Sequence, residues 1–153
     1  MDINIIKAEY EHLDDCKIAL QNSELGRVYF PQEDKAIRVL NDGISKGEIF
    51  IAVNNDCTCL GFIWVIPNGA FHSFPYLHII AVKEQYRNIG IGKKLLKYFE
   101  ESISKNTRKV FLVVSDFNPG AKKLYQNLGY KEIGIIPSLY KAGVNEYLMM
   151  KEL

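Results

Sequence analysis

EQYRNIGIGKKLL, residues Glu84–Leu96, places two glycines one residue apart between an apolar run and an amphipathic one. A glycine pair in that setting brings a backbone close to something. Downstream, Gly92, Leu95, Leu96, Phe99 and Ile103 recur every three or four residues, which predicts a helix of roughly three to four turns. Upstream, Tyr76–Val82 reads as a strand, short and β-branched at its end; beyond the helix, Lys109–Val114 reads as another. Strand, helix and strand of these lengths imply a parallel pair joined by a right-handed crossover.

The flanks complete the sheet. Ile3–Lys7 reads as a strand, and Glu11–Asn22 as a helix with Leu13, Cys16 and Leu20 on one stripe. A loop carrying Gly26, Tyr29, Phe30 and Pro31 leads to a second helix, Gln32–Lys46. Glu48–Val53 and Leu60–Ile66 flank the turn-rich NNDCT as a hairpin. After Val114 comes a shorter helix with Asn118 as N-cap, Pro119 in its first turn and Gly129 as its stop. Lys131–Ile136 and Glu146–Met150 close the chain as strands. The expected fold is α/β: a mixed, mostly antiparallel sheet with a central parallel strand pair and helices on both faces, in one domain. Ligands of such sheets sit beyond the carboxyl ends of the parallel strands, where Gly90 and Gly92 fall.

Bulk properties exclude several classes. The formal net charge of +1 lacks the basic excess of a nucleic-acid binder. Three cysteines, Cys16, Cys57 and Cys59, form no even disulfide framework and match no two-pair metal site, so no metal is expected. Cys57 and Cys59 fall on one side of a strand and read as packing residues. MDINIIKAEYEHLDD is too acidic for a targeting segment, and no apolar run approaches the ~20 residues that span a bilayer. The chain reads as a soluble protein of a reducing cytoplasm, without a membrane partner.

The glycine pair has few compatible ligands. A dinucleotide fingerprint needs a third glycine where Leu95 stands, and a nucleotide P-loop needs a glycine at Arg87 and a hydroxyl after Gly92 and Lys93. What remains is R-x-x-G-x-G feeding a helix start, whose unpaired amides and dipole attract an anion. The bland alternative is a glycine-bearing turn with a solvated basic face. A second segment, FNPGAKKLYQNLGY (Phe117–Tyr130), lies one strand later.

Together the two segments resemble the GNAT superfamily of acetyl-CoA-dependent N-acetyltransferases. Arg87–Gly92 matches the family's pyrophosphate loop. Asn118, Ala121, Leu124, Tyr125, Gly129 and Tyr130 match its N-x-x-A-x-x-L-Y-x-x-x-G-[FY] segment, and Ile80–Val82 resembles the strand before the loop. The order of elements agrees over essentially the whole chain, while the motifs cover Tyr76–Tyr130.

The resemblance implies transfer of an acetyl group from acetyl-CoA, as cosubstrate, to a small-molecule or peptide amine in a ternary complex. The backbone of Ile80 and Val82 would pair with the pantetheine arm. Arg87, Asn88, Ile89, Gly90, Ile91, Gly92 and Lys93 would hold the pyrophosphate. Asn118 and Ala121 would complete the donor site, although Asn118 can equally serve as a cap. Tyr125 would hydrogen-bond or protonate the leaving thiolate; otherwise it is a core aromatic. His78 alternates with Tyr76, Ile80 and Val82 and would take the amine's proton, unless it is simply packed. Tyr29, Phe30, Tyr140 and Glu146 would line the acceptor side or serve as packing. A homodimer is compatible with the family. The alternative function is a non-catalytic acyl-CoA-binding sensor or regulatory module. A nucleotide-dependent oxidoreductase is disfavoured by Leu95.

Overall fold

The computed structural model describes residues Met1–Leu153. In chain order the elements are β1 (Asn4–Lys7), α1 (Leu13–Gln21), α2 (Glu24–Tyr29), α3 (Glu33–Ser45), β2 (Ile49–Val53), β3 (Cys59–Ala70), β4 (Phe74–Val82), α4 (Ile91–Tyr98), β5 (Lys109–Ser115), α5 (Pro119–Asn127), β6 (Lys131–Lys141) and β7 (Val144–Glu152). The strands form one seven-stranded sheet in the order β1-β2-β3-β4-β5-β7-β6. Every neighbouring pair is antiparallel except β4 and β5. No helix is long and apolar enough to cross a membrane.

Alternating side chains give the sheet two apolar faces. Cys16 and Leu20 of α1 and Ala36 and Leu40 of α3 pack with Ile51, Phe62 and Trp64 on one face. Ile91, Leu95, Leu96 and Phe99 pack with Ile63, Leu112 and Val114 on the other. Burying each of these larger side chains is worth about 1.5–3 kcal/mol, so both helix layers hold the sheet. The α4 helix continues through a π-helical segment, Phe99–Ile103, and the helical run therefore spans the stretch that the sequence period indicates.

Three sequence readings need correction. The segment read as a loop around Gly26 contains α2, capped by Ser23 Oγ accepting from the Gly26 amide at 2.9 Å. A Cβ on Gly26 would stand 1.7 Å from the Leu20 carbonyl oxygen, so α2 crosses the end of α1 at a distance that admits only glycine. Cys57 is not a packing residue on a strand: it sits exposed in the β2–β3 turn with φ 60, while Cys16 and Cys59 are buried. The β3–β4 hairpin also runs beyond Ile66 and starts before Tyr76. Its turn lies at Phe71 and His72, both with positive φ (57 and 55).

One irregularity shapes the centre of the sheet. Trp64 pairs with Ile79 but Val65 pairs with Leu77, which leaves His78 unmatched as a β-bulge. Bulges bend and twist the strand that carries them. Here β4 stays in register with β5 only at Tyr76↔Phe111 and Leu77↔Leu112. Beyond the bulge the two parallel strands part, and their carboxyl ends open a crevice.

Candidate functional site

The crevice is a cavity of about 600 Å³ between the ends of β4 and β5, closed by the loop before α4 and by α5. Its β4 wall runs from Leu77 to Val82, and its β5 wall from Val113 to Ser115. Because β5 has diverged, this edge of β4 has no strand beside it from His78 onward. An extended ligand bearing amides can pair with such an edge.

The loop Arg87–Gly90 enters α4 with positive φ at Asn88 (63) and at the N-cap Gly90 (92). These kinks turn successive amides the same way. Lys94 is the first amide to find a carbonyl, that of Gly90 at 3.1 Å. No amide from Asn88 to Lys93 donates within the protein. Orphan donors at the positive end of a helix dipole form an anion cradle. Asn88, Gly90, Ile91, Gly92 and Lys93 border the cavity; Ile89 does not, and its side chain is exposed.

Arg87 borders the cavity but spends its donors elsewhere. Its Nε donates to the Val82 carbonyl at 3.1 Å, and a terminal nitrogen donates to the Asn22 carbonyl at 2.8 Å. Its side chain thus ties the loop to the ends of β4 and α1, a bracing role that the sequence did not reveal. Lys83, next to Val82, is buried and paired with Asp15 of α1, which anchors the same corner.

Helix α5 forms the opposite wall. Pro119 opens it, and Asn118 Oδ1 accepts from the Ala121 amide at 3.3 Å. That oxygen is used in capping, and Asn118 also lines the cavity. One turn on, Tyr125 is 6% exposed and packs edge-on against Tyr130 at 5.8 Å between ring centroids. It is thus a core aromatic by packing. Tyr125 lines the cavity, and its hydroxyl makes none of the side-chain hydrogen bonds of the protein. Burial pushes the phenol well above its ordinary pKa, so it remains a proton donor at neutral pH.

His78 also borders the cavity, from the bulge. It does not share a face with Ile80 and Val82, as simple alternation suggests. Its ring packs edge-on against Trp64 at 4.7 Å, on the α1–α3 side, whereas Ile80 and Val82 pack on the α4 side. The unmatched residue of the bulge breaks the alternation. Burial lowers the imidazole pKa and keeps the ring neutral near pH 7.

The residues expected on the acceptor side divide. Phe30 faces a separate groove beside α3, with Lys35 Nζ 5.4 Å from its ring centroid. Tyr29, Tyr140 and Glu146 come together behind the β5 wall. Tyr29 meets Tyr140 edge-on at 5.7 Å and Phe117 at 5.8 Å. Tyr76 and Tyr140 hydroxyls lie 3.3 Å apart. Glu146, 2% exposed, faces Ser115 directly across the β5–β7 ladder. Ser115 Oγ donates to Glu146 Oε1 at 2.8 Å. Ser115 and Phe117 are site residues to which the sequence reading gave no role; the polar ending of the apolar run FLVVS signals Ser115, and Phe117 opens the FNPG segment.

Comparison with known proteins adds to this geometry. The sequence profile of the Acetyltransferase (GNAT) family matches residues 8–130. An N-alpha-acetyltransferase of Sulfurisphaera tokodaii is 40% identical over 76 residues, covering 48% of this chain and 46% of that protein. The chain spans about half, or less, of the length of three of the curated relatives it matches. Among solved structures, Ard1 of Thermoplasma volcanium superposes with a TM-score of 0.82 at 19% identity, covering 100% of this chain and 99% of that one. An aminoglycoside 6'-N-acetyltransferase complexed with coenzyme A superposes at 0.75 with 19% identity, covering 99% and 97%. These two share the fold.

Proposed function

The chain belongs to the GNAT acetyltransferase family, and from that premise we propose that it transfers an acetyl group from acetyl-CoA to a primary amine by direct attack in a ternary complex. The observation that carries this reading is the unpartnered hydroxyl of buried Tyr125 in the same cavity as the orphan amides of Asn88–Lys93. An anion cradle alone would fit many ligands. A buried proton donor in the same cavity fits a phosphate carrier with a leaving group to be protonated.

The cavity residues fit the donor. Amides of Asn88–Lys93, with the charge of Lys93, suit a diphosphate; the free β4 edge suits the amides of a pantetheine arm. Because Arg87 already occupies the Val82 carbonyl, pairing along that edge rests on Ile80. Acetyl-CoA supplies a thioester carbonyl whose thiolate departs once it is protonated or hydrogen-bonded. Tyr125, kept neutral by burial, donates that hydrogen bond.

The acceptor amine must shed a proton before it attacks. With ordinary pKa values of about 7.8 for an α-amine and 10.4 for lysine, the neutral fractions near pH 7.4 are about a quarter and a thousandth. An α-amine therefore starts about 3 kcal/mol better placed than a lysine. Peptide α-amines accordingly head the acceptor series, ahead of side-chain amines. His78, neutral and bordering the cavity, is able to take the proton directly or through water. Free cysteines throughout the chain suit a reducing cytoplasm.

Release of free coenzyme A thiol from acetyl-CoA, measured across N-terminal peptides and small primary amines, tests the activity. Turnover with any acceptor supports it. Tight coenzyme A binding with no turnover over the series would favour a regulatory binding module, for which Tyr125 has no chemical use.

A further inference from the structure

One buried ionisable group at the crevice is left without a role by the chemistry above. Glu146 sits near the start of β7 and is 2% exposed. Ser115 of β5 donates to its Oε1 at 2.8 Å. Tyr29 of α2 donates to its Oε2 at 3.4 Å and lies 3.4 Å from Ser115 Oγ. Tyr140 of β6, Tyr76 of β4 and Asp116, which follows β5, complete the surroundings. No lysine or arginine pairs with this carboxylate. An unpaired buried carboxylate costs stability compared with an apolar residue, so its retention asks for a use.

Resting on the acetyltransferase reading, we propose that Ser115 and Glu146 form the principal proton exit of the site, with Glu146 acting through Ser115 as a positioning residue. Ser115 reaches the cavity wall and Glu146 does not. By donating its proton to Oε1, Ser115 turns its lone pairs away from the carboxylate, and they are free to accept from an amine N–H. When the ammonium of the acceptor docks, one N–H bond breaks toward Ser115 Oγ while the Ser115 proton moves to Glu146. The freed amine lone pair forms the C–N bond, the C–S bond breaks, and the second amine proton ends on the thiolate. Glu146 returns its proton to solvent, so the balance is ammonium plus thioester giving amide, thiol and one proton.

Two further observations agree. Burial and Asp116 raise the Glu146 pKa above the usual carboxylate range, against the lowering by the Ser115 and Tyr29 hydrogen bonds; a raised carboxyl is a better base. The rigid rung Ser115↔Glu146 also sits one residue before the ladder is locked by Asp116 N donating to Asn145 O at 2.9 Å. His78, by contrast, turns toward Trp64 and makes no hydrogen bond that would pass a proton on. The proposal therefore ranks Glu146 ahead of it.

The test compares kcat against pH for wild type, Glu146→Gln, Ser115→Ala and His78→Gln, with an α-amino peptide amide as acceptor. Expected are a wild-type acid limb, its loss in Glu146→Gln with kcat down more than tenfold, a similar fall in Ser115→Ala, and a retained limb in His78→Gln. Unchanged acetyl-CoA binding by calorimetry separates this from a damaged donor site. An acid limb kept by Glu146→Gln, or removed by His78→Gln instead, overturns the proposal. Should Glu146→Gln not fold, Ser115→Ala decides alone, because it leaves the carboxylate in place. A second readout needs no turnover: carboxyl-labelled glutamate NMR of the coenzyme A complex, assigned by Glu146→Gln. Addition of the peptide amide shifts the Glu146 titration if the exit is real, and a titration indifferent to the amine sinks it even in an active enzyme. Absence of thiol release in the wild type, by contrast, counts against the acetyltransferase reading itself.

Discussion

The two sides of the crevice are built in different ways. The proposed donor side is assembled from neighbours in sequence: the orphan amides fall within Asn88–Lys93, and Tyr125 lies about two helical turns after the Asn118 cap. The proposed acceptor side joins residues far apart in the chain. Tyr29 and Glu146 are 117 positions apart, and Ser115 and Tyr29 are 86 apart. The first is a rigid helix entrance with open donors; the second is a buried aromatic cluster around one carboxylate. Local construction fixes the first through backbone geometry alone, whereas the second shifts with any change in how the sheet and α2 pack.

Four substitutions or titrations press on that contrast. Tyr125→Phe should have the largest effect, lowering kcat more than about tenfold, or at least about 1.4 kcal/mol of barrier, with acetyl-CoA affinity nearly unchanged. Parallel kinetics and calorimetry check it, and wild-type turnover would dissolve the chemical role of the donor side.

Gly92→Val comes next. A Cβ there meets nothing nearer than Val82 Cγ2 at 4.0 Å, so the fold accommodates it. A branched side chain beside the amide cradle should weaken coenzyme A binding about tenfold, about 1.4 kcal/mol, while the thermal midpoint holds. Equal affinity by calorimetry would detach the ligand from α4.

Gly26→Ala probes the other side. Its Cβ collides with Leu20 O at 1.7 Å, so α2 must shift at a cost of about 1–3 kcal/mol, or roughly 2–4 °C per kcal/mol for a chain of this size. Because Tyr29 closes α2, the acceptor KM should rise about threefold, a fraction of the cost of that shift. The KM for acetyl-CoA should not move. If both constants rise together, the two sides are not separately built.

The smallest effect concerns His78. Its folded pKa lies below the 6.5 of the free side chain, so below that pH the unfolded chain binds more protons. Stability from this group is therefore present above about pH 6.5 and lost as pH falls toward the folded value. His78→Gln should flatten that part of a denaturation-versus-pH curve. An unaltered slope would mean the ring is solvated rather than held against Trp64.

Much of the fold was legible because its signals are short-ranged. The helix period from Gly92 to Ile103, the Asn118–Pro119 start and the Gly129 stop each lie within a few residues, and the structure keeps all three. Helix α2 was harder to read: six residues carry little periodicity, and Gly26 looks like loop chemistry until its contact with Leu20 is seen. Strands β3 and β4 run past the apolar stretches that end at Ile66 and begin at Tyr76: Pro67–Gly69 carries turn chemistry, while the turn itself falls at Phe71 and His72. At the site, Arg87 kept its place in the loop, but its bonds to Val82 and Asn22 depend on where α1 ends in space.

By itself the sequence determined the glycine-bearing entrance to α4, the capped helix bearing Tyr125, the parallel pair between them, and through these the family. Those features depend on backbone amides and hydrogen bonds that neighbours in the chain set up whatever surrounds them. Only the tertiary structure decided which way His78 points and that Glu146 meets Ser115. A bulge of one residue reverses the facing of a strand, and a ladder register pairs residues that share no local signal. Both are fixed by packing the whole sheet between its two helix layers.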